Sequence, residues 1–200
     1  MGASALDQDS YQGRDDDVTL NSATFTHTRN TTWTQDVDTN FRIRYLVQET
    51  GGGMSLNTTF EIWFTHTQGA GTPEVMTATS ALQPAATTQY ANGDTTTQVL
   101  GAGTYVSGES LGGVDDGVVS GNVDFAGNDE GEVEFCVTID AAQVANADTF
   151  TSVELRIAGA QLNTYTNNLT ITVNEAAAPI DPIPDRVFSK LQAVNRAATY

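Results

Sequence analysis

Apolar and polar residues alternate with a period of two along most of this chain. Successive side chains of a β-strand point to opposite faces, so this alternation predicts strands with one apolar and one polar face. The strongest alternation covers residues 41–48, 59–65, 132–139, 153–157 and 169–173. Weaker candidates cover residues 18–26, 75–80, 96–100 and 118–125.

Seven or more short strands separated by clusters of Gly, Asn and Asp are typical of two packed antiparallel sheets. The sequence therefore predicts a mainly β fold, a two-sheet antiparallel β-sandwich of immunoglobulin-like or jelly-roll type. The strands at 41–48 and 59–65 are predicted to pair as a hairpin with a long loop. Residues 140–148 are short and alanine-rich, which suits a helical turn.

Three regions follow from this pattern. Residues 1–17 are predicted to be an acidic N-terminal arm, and residues 18–174 the β-sandwich domain. Residues 175–200 are predicted to be an extended proline-rich arm followed by a short C-terminal helix, because Pro179, Pro182 and Pro184 favour extended backbone and helical spacing begins after Asp185.

The predicted C-terminal helix is the candidate partner-binding segment. Its apolar residues recur at helical spacing, and basic residues flank them. About 12 residues of helix are marginal alone, so the segment is expected to need a partner surface on which to fold. The partner-binding residues predicted here are Arg186, Val187, Phe188, Lys190, Leu191, Val194 and Arg196.

The charge of the chain divides at the same point. The chain has 25 acidic and 8 basic residues, a net charge of −17. Up to Ala178 there are 23 acids against 5 arginines (−18), and after it 2 acids against 3 bases (+1). Such an acidic body repels phosphate backbones and anionic lipids, so neither nucleic acid nor a membrane is an expected partner.

The N-terminal residues lack the basic and apolar regions of a secretory signal, and no stretch approaches the roughly 18 apolar residues of a membrane span. The lone Cys136 excludes an internal disulfide and is predicted on an outward, acidic strand face. An acidic, threonine-rich β protein suits an extracellular setting. Assembly in a host cytoplasm and later release in a particle would reconcile these features, so the expected location is a virion.

Three segments carry a resemblance to known proteins: FRIRYLVQETGGG at 41–53, DFAGNDEGEVEF at 124–135 and LNTYTNNLTITV at 162–173. They resemble predicted immunoglobulin-like virion proteins of tailed bacteriophages, of the capsid-decoration or tail-surface type. The resemblance covers roughly residues 41–173. It implies a setting on a virus particle and carries no catalytic or ligand-binding residues.

Candidate chemistry is sparse. Trp63 lies on the polar face of its strand and is a candidate glycan-binding residue, because exposed aromatic rings stack on sugars. Acidic loop clusters offer the oxygen ligands that Ca²⁺ prefers, but none has EF-hand spacing, so no cofactor is expected beyond a possible Ca²⁺. His27 and His66 lack further ligands for a zinc site. A triad of Ser110, His66 and Asp115 has no nucleophile-elbow motif.

The sequence thus favours a non-enzymatic phage structural protein, a capsid decoration protein anchored by its terminal arms. Its expected partners are other virion proteins and further copies of itself. Two alternatives stay open: a minor tail, collar or fibre-base protein, and a secreted carbohydrate-binding or adhesin module.

Overall fold

The structure is a computed structural model that describes residues 2–106 and 113–174. Strands dominate these residues, and their one helical element is a 3-10 turn over Ala141–Gln143, so the protein is mainly β, as predicted. The predicted proline-rich arm and C-terminal helix fall in residues 175–200, outside the described residues.

All five segments with strong alternation contain a strand of the structure. Many of the remaining strands are only two to four residues long. In chain order the strands are β1 Leu6–Asp15, β2 Trp33–Asp36, β3 Phe41–Glu49, β4 Ser55–Thr58, β5 Glu61–His66, β6 Pro73–Val75, β7 Leu82–Pro84, β8 Thr104–Tyr105, β9 Gly113–Val114, β10 Val123–Phe125, β11 Asp129–Ile139, β12 Thr149–Ile157, β13 Ala160–Gln161, β14 Thr164–Tyr165 and β15 Leu169–Asn174.

The strands form two large sheets and one small one. Sheet A has the order β14-β1-β3-β11-β7, with β8 and β9 also pairing with β11, and sheet B has the order β2-β15-β12-β5-β6, with β13 pairing with β12. Strands β4 and β10 pair separately. The long ladders are antiparallel, as expected, but four short ladders (β1 with β14, β2 with β15, β8 and β9 with β11) are parallel.

The apolar faces of sheets A and B merge into one buried core, which is consistent with a β-sandwich. Each fully buried side chain of this kind contributes roughly 1.5–3 kcal/mol. The Tyr45 hydroxyl donates to the Val153 carbonyl oxygen at 3.2 Å and so links sheet A to sheet B through the core. Members of the core include Phe41, Ile43, Val133, Phe135 and Val137 from sheet A and Ile62, Phe64, Phe150, Leu155 and Ile171 from sheet B.

The predicted hairpin between residues 41–48 and 59–65 is wrong. Strand β3 lies in sheet A and β5 lies in sheet B, and the chain between them forms β4. Both strands have an apolar face, and these faces meet across the core rather than side by side. Alternation identifies the buried face of a strand, but it does not show to which sheet the strand belongs.

The predicted N-terminal arm over residues 1–17 is also wrong for most of its length. Residues Leu6–Asp15 form β1, which lies between β14 and β3 in sheet A. Buried Gln8 accepts a hydrogen bond from the Leu155 backbone N–H at 2.8 Å and donates to the Asn167 carbonyl at 3.1 Å. These bonds satisfy backbone groups beside a bulge in β12, so the N-terminal strand holds the two sheets together.

The weaker strand candidates are only partly realised. Residues 18–26 and 96–100 form no strand and instead run as loops over the outer face of sheet A. From the other two candidates, only Pro73–Val75 and Val123–Phe125 form strands close to the predicted positions. The predicted helical turn at 140–148 is present as the 3-10 turn, where the Asp140 carboxylate accepts from the Ala142 N–H.

Because β1 is an interior strand, deleting residues 1–15 is expected to abolish cooperative folding. A dispensable arm would instead leave stability unchanged. The measurement is urea unfolding followed by tryptophan fluorescence, with a deletion of residues 1–4 as the control, since that change leaves β1 intact. A cooperative transition of wild-type midpoint in the longer deletion would contradict the strand assignment.

Candidate functional site

The predicted partner-binding residues lie outside the described residues, so their contacts stay a prediction. This set comprises Arg186, Val187, Phe188, Lys190, Leu191, Val194 and Arg196. The described residues show the charges, polar faces and clefts of the body that such a segment could contact.

Trp63, the candidate glycan-binding residue, is half-buried on β5 and already has partners. The Arg156 guanidinium carbon lies 4.5 Å from the centre of its ring, a cation–π contact over one face of the indole. The indole N–H donates to Glu61 Oε1 at 2.8 Å, and the same oxygen accepts from the Gly159 N–H at 2.6 Å. Through these contacts with Arg156 and Glu61, one face and the polar edge of Trp63 help to hold the turn between β12 and β13 in place.

The two histidines take separate structural roles. His27 stacks on Trp33 with ring centres 4.5 Å apart, and burial lowers the pKa of His27. His66 Nε2 lies 2.9 Å from Asp148 Oδ2, so its carboxylate partner is Asp148 rather than the Asp115 considered from sequence. Within residues 2–106 and 113–174, no group of three His, Cys, Asp or Glu side chains is placed to hold a metal ion.

Several of the acidic loop residues considered as Ca²⁺ ligands hold the protein's own backbone or hydroxyl groups. Asp115 accepts from the Thr87 N–H at 2.7 Å, and Asp16 accepts from the Thr87 hydroxyl at 2.6 Å. Asp129 accepts from the Ala126 N–H at 2.8 Å. These carboxylates set the loop conformations, and Ca²⁺ binding stays an untested expectation.

The outer face of sheet A carries a buried layer of charge. The sequence predicts this face as solvent-facing, yet Arg14, Arg42, Arg44, Glu132 and Glu134 are each 0–1% exposed. Loops from residues 16–22 and 86–101 cover it. With half-buried Asp16, the layer holds three guanidinium groups and three carboxylates, so its formal charges cancel.

Glu134 is the centre of this layer. Its carboxylate lies 2.6 Å from Arg14 Nη2, 2.9 Å from Arg42 Nη1 and 2.7 Å from Arg44 Nε. Burial lowers the pKa of Arg14 against the attraction of Glu134. For Arg44 burial also acts to lower the pKa, but attraction to Glu134 and Glu132 outweighs it and leaves the pKa raised. Glu134 is thus the shared counter-charge of all three arginines.

The arginines also fasten the covering loops to the sheet. Arg14 and Arg44 both donate to the Leu20 carbonyl oxygen at 2.5 Å, and Arg42 donates to the Val18 carbonyl. Arg44 also donates to the Thr97 carbonyl at 3.0 Å. The buried carbonyl groups of these loops have no partners in a strand, and the arginine side chains supply the missing hydrogen bonds. An irregular segment can therefore cover the sheet.

Three glutamates complete the attachment by accepting backbone N–H groups. Glu132 Oε1 accepts from Val99, Leu100 and Gly101 at 2.6–3.0 Å. Glu130 Oε2 accepts from Ala102 and Gly103 in the same way. On the other side of the sheet, Glu49 accepts from Ala5, Gly51, Gly52 and Asn128, and these bonds, led by that from Ala5, lower the pKa of Glu49.

Cys136 is buried in this same region rather than outward as predicted. It packs with Leu20, Ala85 and Tyr90 beneath the covering loops. Burial, followed by the negative charge of Asp16, raises the pKa of the Cys136 thiol. A buried, protonated thiol is a poor nucleophile, so burial favours a passive role for Cys136.

Every arginine of the described body is in an ion pair. Arg29 pairs with Asp9 at the surface and Arg156 pairs with Glu154, while the other three lie in the buried layer. The acids are in large excess, so the described surface carries carboxylates without basic partners. The three basic residues after Ala178 are the cations that the body lacks.

Part of the outer face of sheet B is built from paired threonines. Thr172 lies opposite Thr34 on one side and Thr149 on the other, and Thr151 lies opposite Thr65. Cross-strand threonine pairs stabilise a sheet while presenting only hydroxyl and methyl groups to solvent. Some of the many threonines of the chain therefore lie on this face.

A shallow cleft with a partly apolar lining lies at one end of the body. We call it the end cleft; its volume is about 460 Å³. It lies between the N-terminal segment, the start of β4 and the β12–β13 turn. It is lined by Ser4, Ala5, Leu6, Ser55, Ile157, Ala160, Gln161, Leu162 and Asn163.

Comparison with known proteins gives no family assignment: no family model matches the chain, and no curated protein matches it. Residues 2–106 and 113–174 contain no helix that is long and apolar enough to cross a membrane.

Replacing Glu134 with glutamine is expected to lower the free energy of unfolding by about 3–5 kcal/mol, because three buried guanidinium groups lose their shared counter-charge. The matched control is Asp9→Asn, which removes the exposed ion pair with Arg29 and is expected to cost at most about 1 kcal/mol. Urea unfolding at neutral pH measures both. Similar small losses in the two variants would contradict a dependence of the fold on Glu134.

Glu49 is expected to make the protein sensitive to acid. Its folded-state pKa is below the ordinary value of 4.5, so its stabilising contribution is complete above that value and is lost as pH falls through the folded pKa. Glu49→Gln is expected to be less stable than wild type at pH 7, with a difference that narrows below pH 4.5. Urea unfolding across this range tests the sign, and a difference that widens in acid would refute it.

Proposed function

We propose that this chain is a non-enzymatic structural protein of a bacteriophage particle. Its acidic body would be displayed at the particle surface, most simply as a capsid decoration, and its terminal segment would attach it. The observation that carries the proposal is the division of charge. The described body uses every one of its arginines in ion pairs, whereas the remaining basic side chains of the sequence lie together after Ala178, among apolar residues.

The buried charge layer supports a role in display rather than catalysis. Its charged groups serve to hold loops of residues 16–22 and 97–103 against sheet A, so the loops have fixed positions. Loops held in this way give a body whose surface keeps one shape. An excess of surface carboxylates also limits unwanted association of crowded particles, because like charges repel.

The finer architecture is part of this proposal. Two sheets with one shared core support an immunoglobulin-like or jelly-roll sandwich as the body. We place an extended proline-rich arm and a short helix after Asn174, so that the helix would stand away from the body. This matches the resemblance of residues 41–173 to virion proteins with immunoglobulin-like domains.

The partners that fit such a segment are other virion proteins, including further copies of this chain. Burying Val187, Phe188, Leu191 and Val194 would contribute about 6 kcal/mol before the cost of ordering the segment. Arg186, Lys190 and Arg196 would favour an acidic acceptor surface and speed association. The acidic body argues against nucleic acid and anionic membranes as partners.

Deleting residues 179–200 is expected to leave a folded, strand-rich body that no longer joins particles. The measurement is the copy number of the protein in purified particles, by quantitative mass spectrometry, with circular dichroism to check the fold. Phe188→Asp combined with Leu191→Asp should lose occupancy as the deletion does, whereas the matched change Ala197→Asp combined with Ala198→Asp, outside the apolar stripe, should retain it.

Two outcomes would oppose the proposal. Wild-type occupancy of the truncated protein would show that the segment is not the anchor. Loss of the folded body on truncation would show that the segment belongs to the core. The copy number of the wild-type protein separates the two particle locations, since decoration of a capsid requires many copies and a collar or fibre base only a few.

A further inference from the structure

The end cleft combines apolar lining with exposed apolar neighbours. Leu6 and Leu162 lie at its base and Ile157 is half-buried at its wall. Met54 and Leu56, the chain neighbours of the lining residue Ser55, are each 57% exposed and are the most exposed large apolar side chains of the described body. Apolar surface of this kind marks a contact site more often than a free surface.

Unpaired carboxylates lie beside this cleft. Asp7 accepts a hydrogen bond from the side chain of Asn163, a lining residue, and Asp124 accepts from the backbone N–H of Asn57, next to Leu56. Neither Asp7 nor Asp124 is in an ion pair with a described residue. The fitting ligand is therefore a short segment with an apolar stripe and flanking basic groups.

Residues 186–196 of this same chain have that composition: Val187, Phe188, Leu191 and Val194 form the stripe, and Arg186, Lys190 and Arg196 flank it. The body supplies the acids and the tail supplies the bases.

The direction of the chain favours a cleft on another copy over the cleft on the same copy. Strand β15 ends at Asn174, beside the start of β12, whereas the cleft residue Ile157 is at the other end of β12. Eight residues of strand separate these ends, about 26 Å. The chain leaves β15 pointing away from its own cleft, and the following X-Pro steps favour continuing in an extended direction.

We propose that the tail of one copy, residues 186–196, docks in the end cleft of a second copy. This inference rests on the proposed role of the tail as a docking segment and names its acceptor. Because the tail leaves one end of the body and the cleft is at the other, the contact is head-to-tail. Contacts of this type repeat around a ring or along a filament, depending on the rotation between copies.

Disulfide trapping in the full-length protein tests the inference. One preparation carries Ser55→Cys and the other carries Leu191→Cys, so a mixed dimer between the two new thiols can form only between copies. Mild oxidation is expected to give this mixed dimer about tenfold faster than the control mixture of Thr34→Cys and Leu191→Cys, because docking raises the effective concentration of the thiols. The native Cys136 is buried and adds no accessible thiol.

The outcomes are distinct. Faster trapping at Ser55 that is abolished by adding Phe188→Asp to the tail supports docking between copies. Equal rates for Ser55 and Thr34 overturn the inference, and so does a double variant, Ser55→Cys with Leu191→Cys, that closes only within one chain. Gln161→Cys, at an exposed lining position, replaces Ser55→Cys if that variant does not fold. Particle occupancy that still requires the tail, without trapping, would reject the cleft and retain the proposed function.

Discussion

Glu134 is the counter-charge on which the outer half of this protein depends. One carboxylate meets Arg14, Arg42 and Arg44, and through these arginines it holds the loops that cover sheet A. A buried ion pair costs desolvation energy, and replacing it with apolar residues is often neutral or favourable. The arrangement is therefore better explained by the specificity it gives: guanidinium groups satisfy loop carbonyls that an apolar layer would leave without partners.

Negatively charged side chains hold loops in the same manner. Glu132, Glu130 and Glu49 each collect consecutive backbone N–H groups from a loop, so arginines hold carbonyls and glutamates hold amides. The body thereby fixes long irregular segments without helices or disulfides among its described residues. Each loop is tied by several bonds that must break together, which would suit the proposed role in a particle.

The sequence predicted the positions of the long strands well, but it predicted poorly which strands pair with each other. Period-two alternation placed β3, β5, β11, β12 and β15, because a strand with one core-facing side leaves a local signal. It missed the interior strand β1, because the polar residues Asp7, Gln8 and Ser10 interrupt any apolar alternation there. It also predicted that Arg42 and Glu134 face solvent, although both are buried. Whether a polar strand face meets water or a covering loop is a long-range fact that no local period contains.

The placement of cations gives the protein a directional electrostatic character. All five arginines of the described body are in ion pairs, three of them in the buried layer. The body therefore presents acids that none of its described residues neutralises. Two such bodies repel each other, so in the proposed assembly the attraction between copies would come from the basic segment meeting an acidic rim. Repulsion between bodies disfavours random aggregation, while an attraction confined to one short segment favours a single orientation. Apolar residues within that segment would then supply the affinity that screened surface charges alone do not.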